Sequence, residues 1–182
     1  MKTWIHRWIA LTAAAVLPMA ANAQQANTDF KERTIRVSHV VPKDHPFQVG
    51  IEKYAEILAQ KTGGRMKMIG FPDGQLGAEL QSISAAQGGI LDIALVSTAA
   101  AASVVKEFGV FDLPFLFTDF KEVDLVLNGP VGRRLLDRVS DKNLVGLCYF
   151  ETGFRHVTNN RRPITKVEDL KGLKIRTIQN PV

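Results

Sequence analysis

A single cysteine, Cys148, in a chain of 182 residues excludes an intramolecular disulfide framework. Its neighbours in residues 144–150 (LVGLCYF) are apolar, which predicts an inert, buried thiol. No GxSxG, HExxH, CxxC pair, P-loop or GxGxxG occurs, which points away from an enzyme and from a bound cofactor. Histidines are few, and His39, His45 and His156 are not spaced as metal ligands; each reads as a hydrogen-bonded surface or loop histidine. Clustered basic segments with interleaved aromatics are missing as well, so nucleic acid is excluded as a partner. Long hydrophobic runs are lacking. The longest, residues 8–19, is too short to span a bilayer.

That short run has a role of its own. Lys2, His6 and Arg7 precede it, and Ala21-Asn22-Ala23 follows as a small-x-small cleavage site, so residues 1–23 read as a signal peptide cleaved after Ala23. Residues 24–33 form a flexible leader. The mature chain is therefore expected to be exported. Its formal charge of +5 falls to +3 once Lys2 and Arg7 leave, a small scattered surplus that suits attraction of small anions. The composition, 46% hydrophobic and 23% charged, is that of a globular protein able to bury a core.

From Thr34 onward, strand and helix signals alternate. Residues 34–41 (TIRVSHVV) read as a strand. A helix follows with Phe47, Ile51, Tyr54, Ala55 and Leu58 at helical spacing, and Thr62-Gly63-Gly64 ends it. Residues 65–71 read as a second strand, Pro72-Asp73-Gly74 as a turn, 76–87 as a helix, and 90–97 as a third, largely apolar strand. This β-α-β-α-β order implies parallel pairing, so the loops at His39 and at Ser97-Thr98 should open on one edge of the sheet. Further on, 99–106, 120–127 and 131–139 read as helices, and 111–117 as a turn or edge strand broken by Pro114. Residues 144–150 and 154–158 read as strands. Glu79 enters a helix, where its charge favours the N-terminal turn.

The stretch 163–176 (PITKVEDLKGLKIR) combines a turn, with Thr165 as cap and Glu168 as capping-box partner, a stop at Gly172 and a short strand over 173–175. Arg176 closes that strand. It is either a solvated strand-end arginine or a planar fork presented to a carboxylate where ligands gather in α/β sheets. Asn180-Pro181 reads as the start of another helix one residue before the sequence stops, so a truncated chain is expected.

These pieces carry a resemblance. His45-Pro46 with Gly50, residues 61–65 (KTGGR), 71–77 (FPDGQLG), 89–94 (GILDIA), 113–117 (LPFLF), 153–159 (GFRHVTN) and 162–176 (RPITKVEDLKGLKIR) occur in the order seen in solute-binding proteins of tripartite ATP-independent periplasmic (TRAP) transporters, the C4-dicarboxylate-binding type, which the chain resembles. The resemblance implies an α/β, periplasmic-binding-protein-like two-lobed fold. Residues 34–150 would form a nearly complete first lobe and 151–182 the beginning of a second, truncated one. It implies capture of an organic acid anion, with Arg176 as the carboxylate anchor, Arg155 as a second cation, and His39, Ser97 and Thr98 lining the cleft. The implied partners are the organic acid and the membrane subunits of a TRAP transporter, with the binding protein a monomer and no cofactor. A sensory module for a membrane receptor, a periplasmic enzyme on a similar fold, or an inactive fragment are the alternatives.

Overall fold

The structure, a computed structural model, describes residues 30–177. The expected signal peptide (residues 1–23), residues 24–29 of the expected leader and the helix start expected at Asn180-Pro181 lie outside the described residues. Three strands, β1 (Arg33–Ser38), β2 (Met66–Phe71) and β3 (Ile93–Ala94), pair in parallel in the order β2-β1-β3. Between them run α1 (Pro46–Lys61) and α2 (Glu79–Gln87). The remaining helices are α3 (Thr98–Ala101), α4 (Phe120–Leu127) and α5 (Pro130–Arg138), with 3-10 turns at Lys106–Asp112, Val139–Lys142 and Val167–Leu170.

The ends of α1 follow directly from its sequence. His45 is the N-cap, its Nδ1 accepting from the Phe47 N–H at 3.2 Å, and Pro46 supplies a preset φ at the first helical position. Gly63 and Gly64 beyond the C-cap hold φ of +61° and +78°, which only glycine adopts freely.

Both faces of the sheet are covered. Val37, Ser38 and His39 are buried in succession, although neighbouring side chains on a strand point to opposite faces. Ser38 Oγ meets Ser82 Oγ of α2 at 2.9 Å, whereas His39 meets Gln48 of α1. Thus α1 and α2 lie on opposite faces, as right-handed crossovers require when the order doubles back. A second core gathers Ala102, Val105, Phe108, Leu135 and Val139, with Leu144 and Tyr149 packed on it.

Several elements differ from expectation. The third strand is confined to two ladder residues, extended by Leu95 N–H donating to Ser38 O at 2.9 Å. The helix expected over 99–106 is shorter and gives way to the Lys106–Asp112 3-10 turn. Among the described residues, 144–150, 154–158 and 173–175 form no strand. Apolar alternation selects a face, but a strand needs a neighbour to accept its ladder. Residues 144–150 instead lie across α5, where Tyr149 donates to Gly132 O at 2.9 Å and burial pushes its phenol up to about 12. The same path leaves Cys148 exposed, correcting the expectation of a buried thiol.

The turn at 165–170 uses a different acid from the expected one. Asp169, not Glu168, accepts from the Thr165 and Lys166 N–H groups and the Thr165 hydroxyl, because Lys166 rather than Thr165 is the N-cap. Gly172 does end it, at φ +77°.

Candidate functional site in the switch-point crevice

The chain runs from β1 to β2 on one side, then returns past β1 to β3 on the other. This reversal puts the topological switch point at the carboxyl ends of β1 and β3, the position where open α/β sheets receive ligands. Three loops meet there. Residues 72–78 cross the end of β1, with the Gly74 N–H donating to His39 O at 3.0 Å and the Asp73 N–H to Val41 O at 3.0 Å. Asp73 and Gly74 both have positive φ, 56° and 67°, which turns the loop back sharply.

That loop delivers Glu79 to the first position of α2, beside the loop that follows β3. Glu79 accepts from the Ser97 N–H at 2.6 Å and from the Ser97 hydroxyl at 2.9 Å. Ser97 in turn caps α3, its Oγ accepting from Ala100 N–H at 3.2 Å. Ser97 and Thr98 are half-buried. The structure therefore brings Glu79 and Ser97 together at the switch point, with Thr98 next along the chain.

His39, at the end of β1, is 2% exposed and so is not a surface histidine. Its Nε2 lies 2.8 Å from Gln48 Oε1, and Gln48 Nε2 donates to Glu52 Oε1 at 2.8 Å. Because the carboxylate fixes the Gln48 amide, its oxygen faces the imidazole and Nε2 must carry the proton. Nδ1 is then an acceptor. It is buried with no hydrogen-bond partner. Gln48 and Glu52 escaped the sequence reading because apolar periodicity treats a helical glutamine as solvent-facing; their i, i+4 spacing was the available signal.

Arg155 and Arg176 are exposed, and neither has a carboxylate partner among the described residues. The approach to Arg155 is fixed by ring contacts. Phe150 packs on Phe47 of α1 at 5.4 Å between centroids, and Phe154 meets Phe120 edge-on at 5.1 Å. The approach to Arg176 is tied by Arg162, whose guanidinium donates to the Asp169 and Lys171 carbonyls at 3.0 and 2.5 Å. No bond in the described residues joins either arginine to His39, Ser97 or Thr98. His45 serves as the α1 cap, and His156 is exposed.

A shallow, open depression of about 470 Å³ lies elsewhere, on α2, lined by Leu80, Gln81, Ser84, Ala85 and Ile90. It offers no charge to an anion. Among the described residues no group of three His, Cys, Asp or Glu is arranged to hold a metal, and no helix is long and apolar enough to cross a membrane.

The parallel α/β sheet, together with its likeness to solved solute-binding proteins, places the protein in the periplasmic-binding-protein-like, two-lobed fold class. Residues 37–182 match the family described as bacterial extracellular solute-binding protein, family 7, and the chain belongs to that family. It is similar to the sugar acid binding protein DctPAm of Advenella mimigardefordensis, solved in complex with galactonate, at 44% identity and a TM-score of 0.81, covering 84% of this chain and 49% of that one. A TRAP periplasmic solute binding protein of Sulfurospirillum deleyianum with bound succinate is 38% identical at a TM-score of 0.74, covering 79% of this chain and 46% of that one. The C4-dicarboxylate-binding protein DctB of Bacillus subtilis is 36% identical over 147 residues, 81% of this chain and 42% of DctB. The chain spans about half the length of the curated relatives it matches.

Proposed function

We propose that the whole protein captures an organic acid anion, a C4-dicarboxylate, sugar acid or similar carboxylate, and delivers it to the membrane subunits of a TRAP-type, ion-gradient-driven transporter. The observation that carries this reading is the family match over residues 37–182, with relatives solved around galactonate and succinate. In this reading residues 34–150 form the first lobe and 151–182 enter the second. Residues 1–23 are removed after Ala23, and the protein works in the periplasm as a monomer, without catalysis.

Arg176 anchors the ligand carboxylate with two charge-assisted hydrogen bonds, and Arg155 adds a second cation. Both are free of internal carboxylates among the described residues, which suits them to an external one. Ser97, Thr98 and His39 line the first-lobe wall. Closure of the lobes excludes water and strengthens the ion pair.

A thermal-shift screen of organic acids on the complete natural chain tests the proposal. Ligand binding to the native state raises the melting temperature by mass action, so a carboxylate hit is expected. No shift across a broad acid panel would overturn it.

A further inference from the structure

No residue from 159 to 176 is buried, so no core orients Arg176, and its approach is shaped by hydrogen bonds within the segment itself. At the start, Asn159 Oδ1 accepts from the Arg161 and Arg162 N–H groups at 2.8 and 3.0 Å, and Asn159 Nδ2 donates to Arg162 O at 2.9 Å. Those three bonds fix the backbone of Arg162. Its side chain then reaches the far end of the Val167–Leu170 turn, where Nε donates to Asp169 O at 3.0 Å and Nη2 to Lys171 O at 2.5 Å. The last carbonyls of a helical turn lack partners within it, and a cationic side chain can take them. At the opposite end the Asp169 carboxylate accepts from the Thr165 and Lys166 N–H groups. One turn is thus capped at both ends by side chains. Gly172, at φ +77°, then directs the chain out of it towards Arg176.

The edge of a guanidinium that carries Nε and Nη2 is a fork well suited to a carboxylate. In Arg162 two backbone carbonyls fill that fork, whereas Arg176 has no carboxylate partner among the described residues. Resting on the reading of Arg176 as the carboxylate anchor, we infer that Arg162 is a positioning residue for it. Its bridge between the Asp169 and Lys171 carbonyls sets the exit of the turn, and so the direction from which Arg176 meets the ligand. Two-point pairing depends on alignment, and a misplaced anchor loses one of its two bonds.

Calorimetric titration of the complete natural chain with the best acid from the screen tests this in four forms: wild type, Arg162→Ala, Arg176→Ala and the double variant. Arg162→Ala is expected to weaken binding about tenfold, the size of one charge-assisted hydrogen bond. Arg162→Lys should weaken it nearly as much, because an ammonium keeps the charge but lacks the planar fork; wild-type affinity in the Lys form would mean that charge alone matters, and would overturn the inference. In the Arg176→Ala background, Arg162→Ala should weaken binding by less than about twofold further, since the group it positions is gone. A full additional loss would show that Arg162 acts independently of Arg176 and would equally overturn it. A second readout needs no ligand. The Lys171 and Leu173 N–H groups, which donate to Glu168 O and Leu170 O, should exchange with solvent severalfold faster in Arg162→Ala, with α1 amides unchanged. Unaltered exchange would mean that Arg162 does not hold the turn. Unchanged affinity in Arg162→Ala would overturn the positioning role and leave acid binding standing, whereas failure of the wild type to bind any acid would overturn both.

Discussion

Glu79 and Ser97 sit 18 residues apart yet are joined by two hydrogen bonds, at 2.6 and 2.9 Å, that tie the start of α2 to the cap of α3. The bond pair does two things at once. It closes the carboxyl end of β3 against the returning 72–78 loop, and it uses up the Ser97 proton.

Glu79→Ala should therefore lower stability by about 1–3 kcal/mol, because the Ser97 N–H loses a charged acceptor in a half-buried setting. Urea unfolding with an unchanged slope would check it; a loss near zero would mean that water replaces the carboxylate without cost.

Gly70 lies where a methyl group would overlap the Gln48 side-chain amide. Gln48 cannot swing away freely, being held between His39 and Glu52. Gly70→Ala should cost roughly 1–3 kcal/mol by overpacking. In a double-mutant cycle, Gln48→Ala should recover part of that loss, and additive effects would show that the two sites do not press on each other.

Asp92 supports the sheet from its outer edge. It accepts from the Arg36 N–H at 2.9 Å and from the Arg33 guanidinium at 2.7 Å, with Arg36 Nε at 3.4 Å. Burial pushes its carboxyl up, but the backbone N–H of Arg36 and the two guanidinium groups together outweigh it and hold the carboxyl below its usual range. A depressed folded-state pKa stabilises the fold above the unfolded value, near 4, and that contribution is lost as pH falls through the folded value. Asp92→Asn should flatten this acid branch. Chemical unfolding of both forms between neutral pH and about pH 3 reads it out, and parallel curves would contradict the assignment.

How much of this was legible in the sequence differs by element. The β-α-β-α-β order, the C-terminal stop of α1 and the turn at Asp73-Gly74 were readable because glycine and proline act locally, whereas His45 was read as a surface or loop histidine and not as the α1 N-cap. Residues 144–150 and 173–175 were misread because strand character depends on a neighbour that the pattern itself does not supply. Ser97 and His39 were placed at the correct edge by topology alone. Their partners were harder: Glu79 was read only as a helix-end charge, and buried Gln48 is invisible to a pattern that equates polar with exposed.

Arg176 is the proposed carboxylate anchor, and calorimetric titration of the complete natural chain and its Arg176→Ala variant against the best acid from the screen tests that role. Truncating one partner of a buried charge pair costs roughly 2–5 kcal/mol, so affinity should fall by about thirtyfold or more. Arg176→Lys should recover little of it, because an ammonium lacks the planar fork. Near-unchanged affinity in Arg176→Ala would return Arg176 to a solvated arginine and remove the anchor from the account.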